Sequence, residues 1–329
     1  MKVAIFSMHQ FEKDYLLKAN ENKHELVLIE ARLSDSTVKL ASDCKAISIF
    51  TGDNADGKNL ANLAKLGIRY VALRSAGFNH VDLNSAKALN IKVARVPSYS
   101  PHAIAEHSVA LMLALNRKLI RANHRLMDLN FKLDGLVGFD MHGKTAGIIG
   151  TGKIGSVVAK ILHGFGCKLL GVDLVKNQDL IDKYQIEYCT CESLCERSDI
   201  ITLHTPLNEK THYLVDEECI DRMKNGVMLI NTSRGGLINT KAVIKSLKTK
   251  KIGALGIDVY EEEEGLFFED HSEDILQDDT IARLMTFKNV MITSHQAFLT
   301  DTALEEIART TIYNLDCFEN QLKSENELN

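Results

Sequence analysis

A glycine-rich turn, Gly147-Ile148-Ile149-Gly150-Thr151-Gly152-Lys153-Ile154-Gly155, falls near the middle of this 329-residue chain. Gly150 permits a tight turn after a strand, Gly152 lets the backbone approach a ligand closely, and Gly155 allows the next helix to pack on the sheet. The turn follows a β-branched run at 145–149, opens a helical stretch to about 165, and precedes a second run, 168–172, that ends at Asp173. Together these make a complete βαβ unit whose helix N-terminus offers N–H donors to phosphate. Asp173 stands at roughly the 20-residue separation where a carboxylate accepts hydrogen bonds from an adenosine ribose. It would repel a 2′-phosphate, and Leu174 and Val175 follow it in place of arginines, so NAD is expected rather than NADP.

A whole domain's worth of sequence precedes this turn. Residues 2–6, 25–29, 46–50, 70–74 and 91–96 read as strands alternating with helical stretches, the pattern of a parallel sheet. After Pro97 a long helix is expected from Pro101, with Ser100 as its N-cap and proline at the first helical position. A second strand series follows at 145–149, 168–172, 199–204, 227–231, 254–259 and 290–293. From Thr300 the pattern is helical and would have to cross back to complete the first domain. The expectation is an α/β protein of two doubly wound parallel-sheet domains, Rossmann-like or flavodoxin-like. The NAD-binding domain, 101–299, is inserted in a domain formed by 1–100 plus 300–329.

Composition narrows the function classes. Hydrophobic content of 45%, charged content of 25% and a net charge of -5 describe a soluble globular protein and disfavour nucleic acid as a partner. The most apolar helical stretch, 103–115, is interrupted by Glu106 and His107, and no run is long enough to span a membrane. The N-terminus runs directly into a strand, so a cytoplasmic protein is expected. Seven cysteines without paired C-x-x-C spacing point to reduced thiols, and Cys189, Cys191 and Cys195 lack the second half of a zinc site, so no metal is expected. The acidic stretch from Glu261 to Glu264, with the acids that follow it, reads as a solvated loop apart from Glu263.

Three later segments carry the chemistry: Asn231-Thr232-Ser233-Arg234-Gly235-Gly236, Gly256-Ile257-Asp258-Val259-Tyr260-Glu261-Glu262-Glu263, and Thr293-Ser294-His295-Gln296-Ala297-Phe298. With the glycine turn, they resemble the D-isomer-specific 2-hydroxyacid dehydrogenase family over nearly the full chain, most of all its fermentative branch in bacteria. The resemblance places the catalytic set on Arg234, Glu263 and His295. The residue types suit reduction of a 2-keto acid. Charge develops on the keto oxygen, a histidine can protonate it, and a carboxylate beside the histidine keeps it loaded. An arginine fork holds the substrate carboxylate and polarises the carbonyl, as a lysine point charge would do less specifically.

The resemblance also implies that Lys153, Ile154, Thr205, Pro206, Thr211, Thr232, Ser233 and Asp258 contact or shape the NAD site, while His204 packs behind it. On the substrate side it implies that backbone around Ala76 and Gly77 grips the substrate carboxylate. Tyr99 and Phe298 close a small apolar pocket, and domain closure expels water. Pyruvate and D-lactate are the implied substrate pair, and a homo-oligomer, dimer or tetramer, the implied assembly. Two alternatives stay open from sequence: a family member preferring a bulkier keto acid, and an NAD-sensing binding module of the same superfamily.

Overall fold

Each β-branched run identified above overlaps a parallel strand in the computed structural model, which describes residues 1–329, although the strand expected at 254–259 runs from Ile252 to Ile257. The chain divides into two compact units: residues 1–100 with 299–329, and residues 101–298.

The first unit contains β1 (Lys2–Ile5), α1 (Gln10–Asn20), β2 (Glu25–Leu28), β3 (Ala46–Ile49), α2 (Gly57–Lys65), β4 (Tyr70–Leu73), α3 (Leu83–Ala88) and β5 (Lys92–Ala94). Its five strands lie in the order β2-β1-β3-β4-β5, the flavodoxin-like winding. The strands are apolar on both faces because helices cover both. One cover is the final helix, Asp301–Glu319, started by the Thr300 hydroxyl accepting the Ala303 N–H at 3.3 Å. Ala308, Ile312, Leu315 and Phe318 recur at helical spacing along it and pack with Val3, Ile5, Ala72 and Ala94. At the carboxyl edge of the same sheet the Arg74 guanidinium is buried. It donates to both Glu12 carboxylate oxygens, at 2.9 and 3.1 Å, and to the carbonyls of Phe6 and Ser7. That satisfaction is what makes a buried charge tolerable there.

The second unit contains α4 (Pro101–Arg117), α5 (Leu119–Met127), β6 (Thr145–Ile149), α6 (Lys153–Gly164), β7 (Lys168–Val172), α7 (Gln178–Tyr184), β8 (Glu187–Tyr188), α8 (Cys191–Arg197), β9 (Ile200–Leu203), α9 (Glu217–Arg222), β10 (Val227–Asn231), α10 (Thr240–Lys248), β11 (Ile252–Ile257), α11 (Asp279–Met285) and β12 (Val290–Ile292). The final helix of the first unit is then α12. Seven strands, one more than expected, lie in the order β8-β7-β6-β9-β10-β11-β12. The extra one, β8, is a two-residue edge strand on β7, too short to show any alternation in sequence. Strand order reverses between β6 and β9, so the ligand crevice of this sheet opens at their carboxyl ends. Ala105, Val109 and Met112 of α4 pack with Ile148, Val158, Leu162 and Ile230, covering one face. No helix is long and apolar enough to cross a membrane.

Candidate active site

The glycine turn fits a dinucleotide on its own geometry. Gly150 adopts φ +92 at the end of β6, where a Cβ would lie 2.4 Å from the His204 carbonyl oxygen across the switch point. At Gly155 a Cβ would lie 1.9 Å from the Gly150 carbonyl oxygen, so only glycine lets α6 seat against the turn. At Gly152 nothing lies within 4 Å of that position, which leaves open space in front of a helix whose N-terminus has no side-chain cap. Uncapped N–H donors facing open space suit a pyrophosphate. Lys153 is exposed and Ile154 half-buried in the first turn of α6. Asp173 is exposed at the end of β7, and its Oδ2 accepts the Thr151 N–H at 2.6 Å, which fixes the carboxylate beside the turn. Leu174 and Val175 next to it are solvent-exposed apolar surface.

Three loops follow the adjacent strands β10, β11 and β12. After β10, the Asn231 side chain donates to the Arg234 carbonyl at 2.8 Å and accepts the Ser233 N–H at 3.0 Å, shaping the turn that presents Arg234. The Ser233 hydroxyl ties this loop to the one after β9 by donating to the Thr205 carbonyl at 2.7 Å. Half-buried Arg234 has its Nη1 on the Ser233 carbonyl at 2.6 Å. Gly235 lets the loop touch its neighbour, since a Cβ there would lie 2.1 Å from the Tyr260 carbonyl carbon.

The loops after β11 and β12 are joined by the acid pair itself. His295 Nδ1 lies 2.8 Å from Glu263 Oε1, and Glu263 Oε2 accepts the Tyr260 N–H at 3.1 Å. The carboxylate only accepts, so Nδ1 carries the hydrogen and Nε2 is left for other work. The Phe268 ring lies beside the imidazole, centroids 5.9 Å apart. His295 itself sits at φ +53, held by its N–H donating to the Asp258 carbonyl at 2.7 Å.

Asp258 proves to be a hub for the histidine loop. Its carboxylate, almost wholly buried, accepts the Thr293 hydroxyl at 2.5 Å, the Gln296 N–H at 2.8 Å and the Ala297 N–H at 2.9 Å. The hydroxyl's only hydrogen goes to Asp258, so the Thr293 oxygen accepts from His107 Nε2 on α4 at 3.0 Å. Neither His107 nor Thr293 stood out in sequence as part of this network, because its links span up to 186 residues of chain.

A sequence model described as the D-isomer specific 2-hydroxyacid dehydrogenase NAD-binding domain matches residues 109–297. A D-lactate dehydrogenase of Escherichia coli (strain K12) is 48% identical over 329 residues, covering all of both chains. The chain belongs to the D-isomer specific 2-hydroxyacid dehydrogenase family. The solved apo-structure of D-lactate dehydrogenase from Escherichia coli matches at a TM-score of 0.91 and 45% identity over all of both chains. D-lactate dehydrogenase from Aquifex aeolicus, solved with NAD and lactic acid, matches at 0.87 and 33% identity over 97% of this chain and 96% of that one. A member of this family with this turn is an NAD-dependent oxidoreductase acting on a 2-hydroxy acid.

Against that family frame, the other residues singled out in sequence divide. Thr205 is half-buried and Pro206 exposed in the loop after β9, facing the switch point. Thr211 turns inward: its hydroxyl donates to the Pro206 carbonyl at 2.7 Å and accepts the Asn208 N–H at 2.8 Å, so it shapes the loop. The buried Thr232 hydroxyl meets Ser108 of α4 at 2.7 Å, and Asp258 likewise acts through the loop it braces. The His204 imidazole, 2.9 Å from the Thr202 hydroxyl, is pushed down to about 3 by desolvation, which suits a neutral packing residue better than a second acid. In the first unit, the Ala76 carbonyl accepts Arg95 Nη1 at 2.9 Å and the Gly77 carbonyl accepts the Ser75 hydroxyl at 2.7 Å, which fixes the orientation of this loop's peptides. Tyr99 is half-buried in the first unit, and Phe298 is buried in the second. The acidic run is only partly a solvated loop: Glu262 and Glu264 are exposed, but Glu261 accepts the Thr240 N–H at 2.9 Å and Glu263 is in the acid pair.

Proposed function

We propose that the protein works as a D-lactate dehydrogenase, reducing pyruvate to D-lactate and regenerating NAD during fermentation. The observation that carries the reading is the His295–Glu263 pair at 2.8 Å, on the loops that also follow the strand edge bearing Arg234. Bound NADH supplies the hydride for the keto carbon. The turn residues Gly150, Gly152, Lys153, Ile154 and Gly155 hold the cofactor's pyrophosphate, Asp173 takes the ribose, and Thr205, Pro206, Thr232 and Ser233 shape the crevice.

His295 delivers a proton from Nε2 to the substrate oxygen and takes one back in the reverse direction, while Glu263 fixes the tautomer through Nδ1. Arg234 orients the 2-keto acid by its planar fork and stabilises the charge that develops on oxygen. Ala76 and Gly77 are assigned to the substrate carboxylate, and Tyr99 and Phe298 to the substrate's methyl end.

The test is NADH oxidation by the purified protein with pyruvate, run beside oxaloacetate, hydroxypyruvate, phenylpyruvate and 2-ketoisocaproate, with the chirality of the product determined. Fast turnover of pyruvate to D-lactate is expected. A preference for a bulkier acid would move the substrate within the family, and NADH binding without turnover would overturn the catalytic reading.

The same reading includes a cytoplasmic homo-oligomer joined through the NAD-binding unit. None of the α5 side chains is buried, and Met127, Leu129, Phe131, Leu133 and Val137 are each at least 70% exposed. So many large apolar side chains along one segment are typical of a surface covered by a second copy.

A further inference from the structure

Three thiols outside the proposed chemistry meet between α8 and α9. Cys191 and Cys195 stand at i and i+4 on α8, hence on one face of it. Cys219 comes from α9, its N–H received by the Asp216 side chain at 2.9 Å. The sulfur atoms of Cys195 and Cys219 are 3.3 Å apart. Cys195 is buried, whereas Cys191 and Cys219 are half-buried. No group of histidine, cysteine and acidic side chains in the structure has the arrangement of a metal site, which leaves thiol chemistry for the cluster. A disulfide has sulfur atoms about 2.05 Å apart, so a small side-chain movement separates this pair from a bond.

We propose that Cys191, Cys195 and Cys219 form a redox site at which a peroxide converts two thiols into a disulfide linking α8 to α9. Cys191, half-buried and one turn before buried Cys195 on α8, is assigned the first attack, and hydrogen bonds from Cys195 and then Cys219 hold its thiol below the usual range. Its sulfur attacks one peroxide oxygen, the O–O bond breaks, and the departing hydroxide takes a proton to become water. The sulfenic acid left on Cys191 is attacked by the Cys219 sulfur, which gives up its proton as the oxygen leaves as a second water. Cys195 then attacks Cys219, releasing Cys191 as a thiol and leaving the Cys195–Cys219 bond. Two thiols lose two electrons and two protons, and the peroxide gains both. A small dithiol reverses the change. The bond would clamp the two ends of the segment that contains β9 and the loop bearing Thr205, Pro206 and Thr211.

The full-length protein is treated with hydrogen peroxide, its free thiols are counted, and unreduced proteolytic fragments are mapped by mass spectrometry. Loss of two thiols per chain, a fragment pair joining Cys219 to α8, and full recovery with dithiothreitol are expected. In Cys191→Ser the same Cys195–Cys219 link should form about tenfold more slowly, and in Cys219→Ser it should be absent. An unchanged thiol count, irreversible oxidation without the link, or equal oxidation of Cys44, Cys167 and Cys317 in the wild-type protein would overturn the proposal, whether or not the variants fold.

Discussion

His295 holds a left-handed backbone conformation that costs a non-glycine residue on the order of 1–3 kcal/mol. The Asp258 hub offsets that cost, its carbonyl taking the His295 N–H and its carboxylate taking three further donors from the same loop. Substituting His295→Ala should lower the rate of pyruvate reduction by about 10²–10⁴-fold, while NADH titration by fluorescence shows affinity near that of the wild type. A wild-type rate would remove His295 from the mechanism. Asp258→Asn supplies one acceptor oxygen where two are in use, so unfolding by urea should show a loss of about 1–3 kcal/mol, accompanied by a lower kcat although the side chain faces the loop. Arg234, Glu263 and His295 stood out in sequence because the three segments that carry them resemble the family's motifs, and their residue types suit one reaction. Asp258 was legible only as a motif position. Its hydrogen bonds reach 35 to 39 residues along the chain, and no local pattern records them.

Elements were read where periodicity is long enough to measure. The βαβ unit around Gly150 could be placed almost to the residue, because glycine at φ +92 and the close seat of Gly155 are backbone requirements that few other residues meet. β8 escaped because two residues carry no period, and the acidic run misled because charge alone does not tell an exposed Glu262 from a hydrogen-bonded Glu261. Asp173 belongs to this scale, since its carboxylate joins the end of β7 to the turn before α6. Asp173→Ala removes a charged acceptor worth about 1.5–3 kcal/mol. The KM for NADH should therefore rise by about tenfold or more with kcat little changed, and an unaltered KM would show that the ribose lies elsewhere.

At the scale of the whole molecule, surface chemistry predicts assembly. Replacing both Phe131 and Val137 with glutamate puts charge into the exposed apolar segment, and analytical ultracentrifugation should then report a smaller species than the wild type. A variant of unchanged mass would place the contact on another face. The division into units also fixes an order of events during synthesis. Unit 101–298 is continuous and has every strand of its sheet once residue 298 is made. The sheet made first waits longest, because α12, which brings Ile312, Leu315 and Phe318 onto Val3 and Ile5, is made last. While the ribosome is at work, the opening hundred residues therefore carry an uncovered apolar face, the kind of surface on which chaperones act.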